Sequence, residues 1–225
     1  MLARLGLIAA ALALPLNAAV PKKQAASVAA RSPAAPAALP QIPPLPDAVH
    51  IALTTALGPI ELELDHRHAP RTVENFVRYV DGKRFDGTAF YRSMRLAWGA
   101  PPNGLIQGGT QNDAKRLLPA VVHEPTSLTG IKHLAGTISM ARYAPGTATG
   151  VFTIMLSDQP SLDADPAASA PDGQAGFAAF GHVVAGMDVV RKIFDAATSA
   201  TKGDGVMRGQ MLEPTVRILS ARRHP

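Results

Sequence analysis

The sequence predicts a mainly β protein, a closed antiparallel barrel whose ends are covered by two α-helices. Two observations carry this reading. After residue 47, apolar residues recur with a period of two in a series of short segments, and only two segments carry the helical period of 3.6. Isolated helices among many short strands fit a closed barrel better than repeated βαβ units.

The elements follow in chain order. "VHIALTTALGPIELEL" alternates on either side of Gly58-Pro59, with Val49, Ile51 and Leu53 on one period and Ile60, Leu62 and Leu64 on another. That pattern predicts a hairpin turning near Gly58. "APRTVENFVRYVDG" places Val73, Phe76, Val77 and Val80 on one helical face, with Thr72 as the expected cap and Gly82 as the stop. Short strands are expected around 89–93, 104–107, 134–140, 151–156 and 178–184. A second helix is expected from Met187 to about Ala197, with Met187, Val190, Ile193 and Phe194 inward, and a last strand at roughly 214–220. There are no internal repeats.

The first 47 residues read differently. "MLARLGLIAAALALPLNAAV" has one arginine, an apolar run from Leu5 to Leu16 and then small residues. This is the pattern of a secretory leader, with an apolar run too short to span a bilayer comfortably, and residues 1–19 are assigned to it; the alternative is an uncleaved anchor. Residues 20–47 are rich in proline and alanine with no apolar period, and are expected to form a disordered tether. The folded domain is expected at 48–225, with a periplasmic location and no stable membrane insertion once the leader is cleaved.

Composition excludes several functions. No cysteine is present among the 225 residues, which removes disulfides, thiolate zinc sites, cysteine nucleophiles and a lipoprotein anchor. The net charge of +5 comes from scattered basic residues without interleaved aromatics, so no nucleic-acid partner is expected. No Gly-rich phosphate loop or cofactor motif occurs. His66 and His68 lie two apart with no third ligand nearby, so no metal is expected. "LDADPAASAPDGQAG" lacks the spacing of a calcium loop and reads as solvated. Ser139 lies in a strand-like run, and no Ser/His/Asp set stands out. "GLIQGGT", 104–110, leaves two readings open. The strand ends in a turn, or Gln107 faces a site while Gly108 and Gly109 let the backbone fold away.

A run of motifs then narrows the choice. "FYRSMR", "GLIQGGT", "HEPTS", "HLAGTISMARY", "GVFTIMLSDQPSLD" and "FAAFGHVVAGMDVV" occur in an order that resembles the cyclophilins, peptidyl-prolyl cis/trans isomerases, over roughly Val49 to Ser220. The resemblance implies an eight-stranded barrel with two capping helices, proline-containing polypeptides as substrates, no cofactor and a monomer. It implies Arg92 as the catalytic guanidinium and Gln107 as the residue orienting the substrate backbone. Leu105, Tyr91, Ala141, Arg142, Val151, Thr153, Leu162 and Phe177 are implied to line the substrate site.

The departures from the family pattern are specific. Gly104 stands where a pocket phenylalanine is usual, Leu105 replaces a methionine, and Val151 replaces a glutamine. Thr153 replaces a second pocket phenylalanine, Phe177 takes the place of a histidine, Ser161 of a tryptophan, and Tyr91 of a histidine. The polar pair is kept and the aromatic pocket is thinned. Trp98, the only tryptophan, lies in an inserted "LAWGAPPNG" and is offered with Phe177 as a replacement wall; the alternative is that it only packs the insertion on the barrel. Two main functions remain, an isomerase assisting the folding of exported proteins and a peptide-binding module or chaperone with little turnover; a third is a scaffold domain held by the Pro/Ala tether to an envelope partner.

Overall fold

The computed structural model describes residues 39–224. Eight strands, all paired antiparallel, close into a barrel. In chain order they are β1 (Ala48–Thr55), β2 (Gly58–Asp65), β3 (Ala89–Arg95), β4 (Gly104–Gly109), β5 (Thr137–Met140), β6 (Val151–Met155), β7 (Ala178–Ala185) and β8 (Met211–His224). Around the barrel the order is β1-β2-β7-β5-β6-β4-β3-β8, with β8 returning to β1. No helix among the described residues is long and apolar enough to cross a membrane.

The first hairpin shows why the alternation was informative. Val49 pairs with Leu64, Ile51 with Leu62 and Leu53 with Ile60, and all six are buried. Their polar neighbours face outward, as the period of two demands. The last strand runs from Met211, longer than the alternation at 214–220 suggested.

Helix α1 (Pro70–Asp81) packs on β8, β2 and β7 through Val73, Phe76, Val77 and Val80. Thr72 is not its cap. The helix starts after Ala69 with Pro70 in its first turn. Its free N–H groups are met from elsewhere: Arg71 N and Thr72 N donate to the Glu124 carboxylate at 3.2 and 2.8 Å, and the Thr72 hydroxyl donates to it at 2.7 Å. A buried carboxylate facing a helix N-terminus satisfies orphan donors and the helix dipole together. Two short helices, α2 (Thr126–Thr129) and α3 (Pro171–Ala175), lie in stretches where none was expected. The fourth, α4 (Met187–Asp195), ends two residues early and buries Val189, Val190, Ile193 and Phe194; Met187 is only partly covered.

The core is held by aromatic side chains. Phe76 of α1 stands 4.9 to 5.4 Å from the rings of Phe85, Phe152 and Phe180, and Phe90 meets Phe152 edge-on at 5.7 Å. Tilted and edge-on pairs at these distances add to plain apolar burial.

Residues 1–19 and 20–38, and so the expected leader and most of the expected tether, lie outside the described residues. The end of the tether segment is held on the barrel. Ile42 and Leu45 pack against the core, and Pro40 O accepts a hydrogen bond from Arg78 Nε at 3.1 Å.

Candidate functional site

The site is built on the outer face of four adjacent strands. Arg92 of β3 pairs with Gln107 of β4, Gln107 with Thr153 of β6, and Thr153 with Ser139 of β5. Four side chains therefore stand in one row across the barrel wall. Their neighbours along each strand, Ile106, Phe152, Ile138 and Met140, point into the core.

A bulge in β3 aims the arginine. Pairing with both β4 and β8 shifts register between Phe90 and Arg92. The extra residue breaks the alternation, so Phe90 stays buried in the core while Tyr91 and Arg92 both reach the site. Once alternation resumes, Ser93 turns inward and donates to Phe194 O at 2.7 Å, while Met94 faces out beside Arg92.

The guanidinium is fixed from two sides. Nε donates to Gln210 Oε1 and Nη1 to Gln107 Oε1, each at 2.9 Å. Nη2 has no protein partner among the described residues. Gln107 in turn donates from Nε2 to the Tyr91 hydroxyl at 3.0 Å, and Gln210 from Nε2 to Val206 O at 2.8 Å. Each amide thus presents its carbonyl to Arg92 because its N–H₂ is held elsewhere. Burial pulls the Arg92 pKa below its ordinary value, but a guanidinium stays charged at any physiological pH. Burial also pushes the Tyr91 phenol up to about 12, against the opposing Gln107 hydrogen bond, so it remains a neutral hydroxyl.

Two cavities open on either side of this row. One, of about 220 Å³, is lined by Leu105, Thr153, Leu162, Phe177 and Met94, with Arg92, Gln107, Ser139, Ala141 and Arg142 at its edge. The other, of about 340 Å³, takes in Tyr91 and Val151 and shares Arg92, Gln107, Ala141 and Arg142 with the first. Every residue that the resemblance implied for the site therefore borders one cavity or both. Arg142 borders both, yet its guanidinium is turned away. It donates to Gly176 O at 2.6 Å and to Asp172 at 3.0 Å, and lies 4.6 Å from the centre of the Phe177 ring. It clamps Phe177 in the cavity wall.

The thinned pocket is resolved by neighbours. Gly104 leaves no hole. Its φ is +141°, and a Cβ there would stand 1.9 Å from Met94 O and 3.0 Å from Phe194. The wall is made instead by Met94, directly across from Leu105, and by Phe177. Trp98 is 69% exposed and lines neither cavity. Gly108 and Gly109 do not turn the chain away, since the ladder runs through both. A Cβ on Gly108 would meet Phe90 at 2.7 Å, and one on Gly109 would meet Gly150 O at 2.2 Å.

Sequence reasoning missed three features. Met94 was visible two residues beyond Arg92 as a same-face neighbour. Gln210 carried no local signal, because 118 residues separate it from Arg92. The third is a Ser/His/Asp set where none stood out. His133 Nε2 lies 2.9 Å from Ser139 Oγ, and Nδ1 lies 2.8 Å from Asp163 Oδ1. Asp163 comes from the loop read as solvated. His66 and His68 face Pro46 O and the Asp65 carboxylate instead of each other.

Comparison with known proteins agrees with this geometry. Residues 50–223 match the family model described as "Cyclophilin type peptidyl-prolyl cis-trans isomerase/CLD". The chain is similar to peptidyl-prolyl cis-trans isomerase A of Dickeya dadantii, 39% identical over 66% of this chain and 73% of that one. It is also similar to an isomerase of Streptomyces antibioticus, 34% identical over 68% and 87%. In structure it resembles a cyclophilin type isomerase of Cryptosporidium parvum, with a TM-score of 0.59, 17% identity and coverage of 79% of this chain and 98% of the other. A matched segment spanning most of the chain, joined to relatives above 30% identity and the same closed barrel, makes this protein a member of the cyclophilin-type peptidyl-prolyl cis-trans isomerase family.

Proposed function

We propose that this chain accelerates rotation about X-Pro bonds in exported polypeptides and so assists their folding outside the cytoplasm. The observation that carries the catalytic part is the fixed guanidinium of Arg92. Two of its nitrogens are held by glutamine carbonyls, and Nη2 is left without a partner among the described residues at the edge of a largely apolar cavity. The leader-like residues 1–19 and the Pro/Ala-rich segment after them support the exported part.

The chemistry needs no cofactor. Amide resonance sets a barrier of about 18–20 kcal/mol, because the nitrogen lone pair is delocalised into the carbonyl. In the twisted state that lone pair returns to the nitrogen, which can then accept a hydrogen bond. A donor aimed at it binds the twisted state more tightly than either planar one, and only such differential binding raises the rate. The proline ring sits against Leu105, Leu162, Phe177 and Met94, and Gln107 holds the flanking backbone.

Thr153 favours a second reading, a peptide-binding module with little turnover, since it removes an aromatic wall at the row's centre. Isomerisation of an Ala-Pro peptide by the purified full chain, beside Arg92→Ala, separates the two. The full chain is the right material because Ile42 and Leu45 pack on the barrel. Catalysis by the wild type that is lost in the variant supports the isomerase. A wild type no faster than the uncatalysed rate leaves only the binding module.

A further inference from the structure

Rotation about an X-Pro bond makes no use of the hydrogen-bonded chain from Asp163 through His133 to Ser139. Asp163 Oδ1 meets His133 Nδ1 at 2.8 Å and the His133 main-chain N–H at 3.1 Å, and Lys132 Nζ stands 3.6 Å from the other carboxylate oxygen. A carboxylate only accepts, so Nδ1 carries the imidazole proton and Nε2 is left to accept from the Ser139 hydroxyl. The imidazole is wholly buried, and burial holds its pKa below the ordinary value, which keeps it neutral. The Ser139 proton is thereby committed to His133.

Thr153, beside Ser139 in the same row, is in a similar state. Its hydroxyl donates to Ser139 O at 3.3 Å. Both residues line the 220 Å³ cavity. Ser139 is 1% exposed and covered by His133, while Thr153 is 9% exposed, so Thr153 Oγ1, its proton engaged behind it, is the acceptor left for a bound ring. Leu105, Leu162, Phe177 and Met94 make the apolar part of the wall around it. A plain proline ring offers only C–H groups to this acceptor, and a polar group desolvated without a partner costs binding energy. A donor on the ring would meet it.

We propose that the cavity selects pyrrolidine rings carrying a hydrogen-bond donor, as in 4-hydroxyproline, with Thr153 Oγ1 as the acceptor. The added hydroxyl is smaller than a water molecule, whose share of liquid volume is about 30 Å³, and the cavity measures about 220 Å³. An acyl-transfer role for the serine fits less well. Ser139 is 1% exposed in the middle of β5, between β6 and β7, with no open path for a carbonyl.

The proposal rests on reading this cavity as the proline pocket. Its test is the ratio of kcat/KM for an Ala-Hyp peptide to that for the matching Ala-Pro peptide, with both 4R and 4S epimers, in the wild-type full chain, Thr153→Val and Ser139→Ala. Valine keeps the shape of threonine and removes the oxygen, and the ratio cancels losses common to both peptides. The expected ratio is at or above one for one epimer, falling ~3- to 10-fold in Thr153→Val and by less in Ser139→Ala. A ratio below one for both epimers, or one that Thr153→Val leaves unchanged, overturns the proposal. NMR titration of the same peptides reads binding without turnover. If the wild type turns over neither peptide, the isomerase reading fails alone, and the binding preference and its loss in Thr153→Val decide the pocket. Equal affinities for both rings would overturn it.

Discussion

The inner and outer faces of β3, β4, β5 and β6 use the same backbone for opposite ends. Inward, Phe90, Gly108, Phe152 and Met140 interlock, with one glycine admitting the Phe90 ring. Outward, one register step away, stand Arg92, Gln107, Thr153 and Ser139, joined by hydrogen bonds within the row and to loops. The inner row gains its stability from excluded water and close packing. The outer row holds polar groups in place by tying them to fixed partners, and among the described residues it leaves Nη2 of Arg92 without one. Stability and chemistry are thus separable by face, and substitutions on the two rows should behave differently.

The largest expected effect is on the inner row. Phe152→Ala should lower stability by about 3–5 kcal/mol in denaturant unfolding, because it empties the centre of the aromatic cluster. Gly104→Phe, which restores the usual family residue, should destabilise rather than activate, as Met94 O occupies the Cβ position; a gain in Ala-Pro isomerisation would contradict this. On the outer row, Arg92→Ala should reduce kcat/KM by about 100-fold or more while moving the unfolding midpoint little. Gln210→Ala should cost about 10-fold, chiefly in kcat, since Arg92 keeps its charge and loses one of its two anchors. A change confined to KM would assign Gln210 to binding alone.

The smallest effect concerns pH. Burial lowers the His133 pKa in the fold, against the raising influence of Asp163 and with a lowering one from Lys132. The unfolded chain then binds the proton more readily than the native one. Stability from neutral His133 is complete above about 6.5, declines as pH falls through that unfolded value, and levels off below the lower native value. His133→Gln should flatten this slope in unfolding midpoints measured between pH 7 and 5. An identical slope in the variant would place the titration elsewhere.

Much of this architecture was legible in local pattern. The alternation at 49–53 and 60–64 and the helical period at 73–80 exist because an element buries one face, and burial leaves a periodic trace in residue type. Arg92 and Gln107 were legible through motif order. Thr72 misled because a threonine near a helix start resembles a cap, while the true partner, Glu124, lies 52 residues away. Gly104 misled because a missing side chain suggests a void, and only the path of β3 shows that Met94 O fills it.

The sequence by itself determined a β-rich barrel with two amphipathic helices, the absence of thiol chemistry, and the pairing of an arginine with a glutamine. Tertiary structure decided what faces what. The bulge that aims Arg92, the anchoring by Gln210, the wall formed by Met94 and Phe177, and the Asp163–His133–Ser139 chain all join residues distant in sequence or break local alternation. Periodicity records only whether a side chain is buried, and the choice of partner across a closed barrel depends on register and loop path, which local residue types do not encode.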